Sequence, residues 1–150
     1  MGNIFNQDFQ DFIKALNQAE VKYVLVGGYA VILHGYNRTT GDMDIWVQQT
    51  ENNYYALVKA FQLFGMPLFD MTKENFMENE SLDVFTFGVP PVSIDIMLSV
   101  KGLIFGETYP LCQKLKVEGI DVMLIDKASL LLAKKASGRF RDLDDIEHIQ

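Results

Sequence analysis

One stretch constrains the fold more than any other. From Val24 the chain reads VLVGGYAVILHG, then a turn-like NRTTG, then DMDIWV. An apolar strand runs into Gly27 and Gly28, a short helix follows and closes at Gly35, and a second apolar strand opens with Asp42 and Asp44. Strand, helix and strand in that order call for a sheet with a helix laid against it. Glycines at the strand's end let the backbone approach a ligand closely, and the helix start offers free N–H groups with a partial positive charge, in outline a phosphate cradle. The plainer reading of the same glycines is a tight connection.

The two aspartates raise a question of charge. Side chains at i and i+2 of a strand share a face, so Asp42 and Asp44 project together while Met43 and Ile45 point the other way. Carboxylates entering a core cost several kcal/mol unless a cation offsets them. They can also be simply the polar residues of a loop-to-strand boundary. A third acid sharpens the choice: in VSIDIMLSV, Asp95 stands mid-strand between Ile94 and Ile96, where propensity disfavours it. On an edge strand it would face solvent. On a strand beside Asp42 and Asp44 it completes a three-carboxylate site able to hold one or two magnesium ions through hard oxygen ligands. Such ions clamp a triphosphate for displacement at its α-phosphorus, and Asp95 is suited to take the acceptor's proton. Competing motifs fail in detail: Trp46 and Val47 stand where a calcium loop needs polar residues and Gly, and GGYAVI lacks the third glycine of a dinucleotide fingerprint.

Elsewhere the chain alternates helix and strand signals. Phe9, Phe12, Ile13 and Leu16 have helical spacing, and ENNYYALVKAFQLFG predicts a second long helix with Tyr55, Val58 and Leu63 among its apolar positions. Residues 66–81 carry no clear period and read as loop with room for a short helix. LDVFTFG and VSIDIMLSV form a hairpin-like pair around VPP, and LKVEGIDVMLI is either strand-turn-strand or one broken strand. DKASLLLAKKASG is a helix capped by Asp126 and ended by Gly138, and DLDDIEHI a last helix with acids in its first turn. The predicted order is α-β-α-β-α-β-β-β-α-α, a mixed α/β or α+β fold in a single domain spanning 1–150. His34 and His148 read as hydrogen bonders, Trp46, Phe61 and Phe64 as core, and Tyr54 and Tyr55 as a place where a base can stack. Lys134, Lys135, Arg139 and Arg141 form a local basic cluster, a solvated face or a phosphate contact.

Charge bounds the partners. With 20 acidic and 13 basic residues the net charge is −7, which argues against an extended duplex-DNA surface, where Lys and Arg supply most of the affinity. One cysteine, Cys112, allows neither an internal disulfide nor a cysteine zinc site. No signal peptide, membrane span or complete myristoylation signal (Met1-Gly2 is followed by Asn6) is legible, so a cytoplasmic location is expected.

Taken together, the Gly-Gly strand end, the D-x-D strand opening and the later strand aspartate resemble the nucleotidyltransferase superfamily of DNA polymerase beta type. More narrowly, GGYAVILHGYNRTTGDMDIWV with KKASGRFRDLDDI is similar to the small bacterial nucleotidyltransferases of the AbiEii and MNT kind, which occur as toxin or antitoxin components. The resemblance implies a mixed sheet flanked by helices, Gly27 and Gly28 at the nucleotide phosphates, and Asp42, Asp44 and Asp95 at the metal positions. It also sets Arg38 and Lys134 near the nucleotide. Tyr29 departs from the Ser that many active members carry after the glycines. The implied activity is magnesium-dependent transfer of a nucleoside monophosphate from a nucleoside triphosphate to a hydroxyl of a protein, a transfer RNA end or a small molecule. The alternative keeps the fold and makes the chain a regulatory or antitoxin-like partner protein.

Overall fold

The protein is described by a computed structural model covering residues 4–89 and 91–150; the Met1-Gly2 start and Pro90 of the VPP turn lie outside the described residues. Asn6 accepts from the backbone N–H of Phe9 and starts α1 (Gln7–Gln18), whose Phe9, Phe12, Ile13 and Leu16 share one buried face. The buried β1 (Tyr23–Val26) passes without a loop into α2 (Gly27–Leu33), and β2 (Met43–Val47) begins one residue after Asp42. Thr50 caps α3 (Glu51–Phe64), which ends at Gly65 with φ +85, and Thr72 caps the short α4 (Lys73–Met77). The strands β3 (Val84–Val89) and β4 (Val92–Met97) follow, then the one-turn α5 (Phe105–Thr108), which runs into a 3-10 turn at Tyr109–Leu111. A hairpin of β5 (Gln113–Val117) and β6 (Ile120–Leu124) leads to α6 (Lys127–Ser137) and α7 (Phe140–Ile149). As expected, Asp126 caps α6 at its start and Gly138, with φ +66, ends it.

The strands form one sheet in the order β3-β4-β2-β1-β6-β5. β2 runs parallel to β4, and β1 parallel to β6, while the remaining neighbours are antiparallel. Period-two alternation divides the side chains between two faces. One face presents Phe85, Phe87, Ile94, Ile96, Met43 and Ile45, all buried, to α1 and α3. There Phe61 meets Phe87 with ring centroids 4.8 Å apart and Phe12 meets Phe61 at 5.7 Å. The other face carries Thr86, Asp95 and Asp44 in one row and Val84, Met97 and Trp46 in the next, with α5 and α6 covering part of it.

LKVEGIDVMLI is strand-turn-strand, the first of its two readings, so the order holds one strand more than the expected one, and α5, only one turn long, is an added element without periodic signal. On α3 the buried residues are Tyr54, Leu57, Ala60 and Phe61; Tyr55 and Leu63 are exposed because the stripe facing the sheet is rotated from the one expected. Among the described residues no helix is long and apolar enough to cross a membrane.

Candidate active site

The parallel pairing of β2 with β4 sets Asp44 directly beside Asp95, and Val26 is the partner of Asp44 on the other side. The row across the sheet is therefore Thr86, Asp95, Asp44, Val26, with Gly27 next along the chain after Val26. Thr86 Oγ1 donates to Asp95 Oδ1 at 2.7 Å. Two residues earlier on each strand, Ser93 Oγ donates to Asp42 Oδ1. Asp42, Asp44 and Asp95 thus share one face, though the side chains are not drawn to a single point. Among the described residues no three acidic, His or Cys side chains are already gathered as a metal cage.

Burial and charge act most strongly on Asp44. Loss of water first, then the negative charges of Asp95 and Asp42, push its carboxyl up to about 7, against a smaller opposing pull from Lys134. A cation between these acids would relieve that repulsion, and the donor set consists of hard carboxylate oxygens, which fits a magnesium-type ion.

The two glycines have distinct local reasons. Gly27 has φ +70, and a Cβ there would overlap the Asp44 carboxylate; a Cβ on Gly28 would overlap Thr40 Oγ1 and press on Arg38. The absent side chains make room for Asp44 and Thr40 as well as for any ligand. Tyr29 turns into the core, where it packs against Phe5 at 5.3 Å and Phe9 at 5.5 Å.

Arg38 and Lys134 do reach the same cavity, but both are already partnered by α7. Arg38 Nη2 donates to Asp145 Oδ2 at 3.1 Å, while its Nε lies 2.8 Å from Oδ1, an ion-pair distance out of line for a hydrogen bond. Lys134 Nζ bridges Asp142 Oδ1 at 3.2 Å and Asp145 Oδ2 at 2.9 Å. Both aspartates are fully buried. Burial alone would raise the Asp142 carboxyl, but hydrogen bonds from Arg139, Ser137 and Lys134 more than offset this and hold it well below the usual carboxylate range. Arg141, on the same cavity, has no ion pair among the described residues.

These residues line a cleft with two lobes. One, of about 260 Å³, is bounded by Gly27, Gly28, Thr40, the three aspartates and Arg141; the other, of about 290 Å³, lies among Val26, Met97, Ile125, Leu130 and Ala133. Gly27, Asp44, Lys134 and Arg139 belong to both. A separate hollow of about 380 Å³ beside Asn17, Tyr23 and Met123 contains none of the acids or glycines of the site. Tyr54 and Tyr55 sit on α3 across the sheet, so neither can stack on a base at the carboxylates. His34 Nε2 lies 2.7 Å from the Ile125 carbonyl and His148 Nδ1 2.8 Å from that of Asp144, both hydrogen bonders as expected.

Sequence reasoning did not single out Asp142 and Asp145, read only as first-turn helix acids. Their spacing of three residues on one helix face beside a basic cluster was the available signal. Ser93, Thr86 and Thr40 carried none.

A mixed sheet with this diglycine bend and these strand carboxylates is the nucleotidyltransferase fold. It is similar to the crystal structure of a Thermotoga maritima protein taken to be a nucleotidyltransferase, with a TM-score of 0.56 over 93% of this chain and 88% of that one, at 13% identity. Residues 6–150 match the family described as "Nucleotidyltransferase of unknown function (DUF6036)", and the chain belongs to that family. No curated protein matches the chain.

Proposed function

We propose that the chain transfers a nucleoside monophosphate from a nucleoside triphosphate to a hydroxyl, with Asp44 and Asp95, joined by Asp42, holding magnesium. The observation that carries this reading is the register of Asp44 against Asp95 beside Gly27, where burial first and then the Asp95 charge push the Asp44 carboxyl up to about 7. Magnesium, when bound, supplies Lewis-acid contacts to phosphate oxygens and neutralises their charge. The chain's own residues do the rest. Backbone at Gly27 and Gly28 lets the phosphates come close, and Arg141, without an ion pair among the described residues, offers a cation. Arg38 and Lys134, locked to α7, shape that wall. Asp95 takes the proton of the incoming hydroxyl. Incubation with labelled nucleotides, magnesium and cell extract tests the assignment: transfer is expected from the natural chain and absent from Asp42→Asn and Asp44→Asn. Transfer surviving both substitutions overturns it.

A second reading rests on one observation. The charges of Arg38 and Lys134 are consumed by Asp142 and Asp145, which weakens the grip on a triphosphate and favours a regulatory partner of the AbiEii or MNT type in a toxin–antitoxin pair. Absence of any melting shift with magnesium and each of the four triphosphates would favour it.

A further inference from the structure

The row across the sheet has a direction. From Val26, with Gly27 next along the chain and against the Asp44 carboxylate, it passes Asp44, then Asp95, and ends at Thr86 on β3, the edge strand. Neighbouring strands stand about 4.8 Å apart, so a phosphoryl group above Asp44 and Asp95 would have the glycine bend on one side and Thr86 on the other. That is the order an in-line displacement needs, with the leaving group toward the glycines and the nucleophile toward β3. Thr86 is exposed, and its hydroxyl already donates to Asp95 Oδ1 at 2.7 Å. A general base presents this geometry to the hydroxyl whose proton it removes.

The other hydroxyls around the cleft do not meet both conditions. Ser93 is buried and its hydroxyl is committed to Asp42. Thr40 is pressed against Gly28, on the leaving-group side. Ser99 and Ser137 line the second lobe, where neither has a hydrogen bond to Asp95.

We infer that Thr86 is an acceptor within the chain itself, a self-nucleotidylation site; the inference rests on the transfer reading above. In the step, a bond forms between Thr86 Oγ and the α-phosphorus of a nucleoside triphosphate. The bond from that phosphorus to the bridging oxygen of the β-phosphate breaks, pyrophosphate leaves on the Gly27–Gly28 side, and the hydroxyl proton passes to Asp95. The product is a phosphodiester on β3 that occupies the acceptor side of the cleft.

The test incubates the purified chain with magnesium and each of the four ribonucleoside triphosphates, then maps adducts by intact-mass and tandem mass spectrometry. Pyrophosphate release and melting temperature are followed in parallel. One nucleoside monophosphate is expected at position 86 in the natural chain and in Thr86→Ser, and none in Thr86→Val or Asp95→Asn, at a rate unchanged when the protein is diluted tenfold. An unmodified chain that nonetheless releases pyrophosphate or melts higher with magnesium and nucleotide overturns the self-acceptor role and leaves transfer standing. An adduct at another residue, or a rate that falls on dilution, also overturns it. A chain that gains no adduct, releases no pyrophosphate and melts at an unchanged temperature overturns the transfer reading and this inference with it.

Discussion

A carboxyl that titrates near neutrality holds a proton in the folded chain that it would release on unfolding. Asp44 is such a group, raised from 3.8 to about 7 by burial and by Asp95. Between those two values the unfolded chain binds fewer protons, so stability falls as pH rises. The contribution is complete below the unfolded value and is lost as pH climbs through about 7, with an upper bound of about 4 kcal/mol. The ion-free protein should therefore melt several degrees lower at about pH 8 than at about pH 6, and Asp44→Asn should remove most of that slope and outlast the natural chain at the higher pH. A slope unchanged by the substitution would show that another group sets it. Gly27 makes a second residue-scale case. A methyl group there meets the Asp44 carboxylate at a φ of +70, whereas one on Gly41 meets nothing within 4 Å. Gly27→Ala should cost roughly 1–3 kcal/mol in urea unfolding, and Gly41→Ala less than about 0.5 kcal/mol; equal effects would refute the crowding argument.

Among the elements, α7 does the most to assemble the cleft. It clasps the turn before β2 through a Tyr36–His148 stack at 3.9 Å, a Tyr36–Asp144 hydrogen bond at 2.7 Å and the Arg38–Asp145 pair, and it holds α6 through Lys134. Asp145→Ala leaves two largely buried cations without their shared partner, which should cost about 3–5 kcal/mol. Glu51→Ala breaks the exposed pair with Lys73 and a 3.5 Å hydrogen bond from the Tyr55 hydroxyl and should cost less than about 1 kcal/mol. Similar losses from both, measured by urea unfolding, would contradict the buried role. This clasp also marks the limit of what local sequence reveals. The amphipathic stripe of α1, the caps at Asp126 and Gly138 and the β3–β4 hairpin are written in short-range periodicity and turn chemistry, and they are legible. The diglycine bend and the D-x-D strand opening are legible too, because their oddity is local. The adjacency of Asp44 to Asp95 depends on a parallel pairing across some fifty residues, which no local period encodes. The facing of α3 and the use of Asp142 and Asp145 to neutralise Arg38 and Lys134 likewise emerge only when elements pack.

At the scale of the whole molecule, the proposed transfer requires a chain of net charge −7 to admit a triphosphate past three carboxylates. Like charge opposes that entry, so nucleotide and magnesium each need the other, and by linkage whatever affinity one gains the other gains equally. Melting curves in a two-by-two design measure this directly. Nucleotide without magnesium, in the presence of chelator, should leave the midpoint unmoved, and magnesium alone should raise it modestly by relieving Asp44. Both together, with the preferred triphosphate at 100 times its dissociation constant, should add roughly 2.7 kcal/mol, or about 5–10 °C for a chain of this size. In Asp44→Asn the joint shift should collapse while any small magnesium-independent shift persists. Purely additive shifts in the natural chain would mean that the two ligands occupy unconnected places, and the carboxylate row would then have to be read as a structural feature of the sheet.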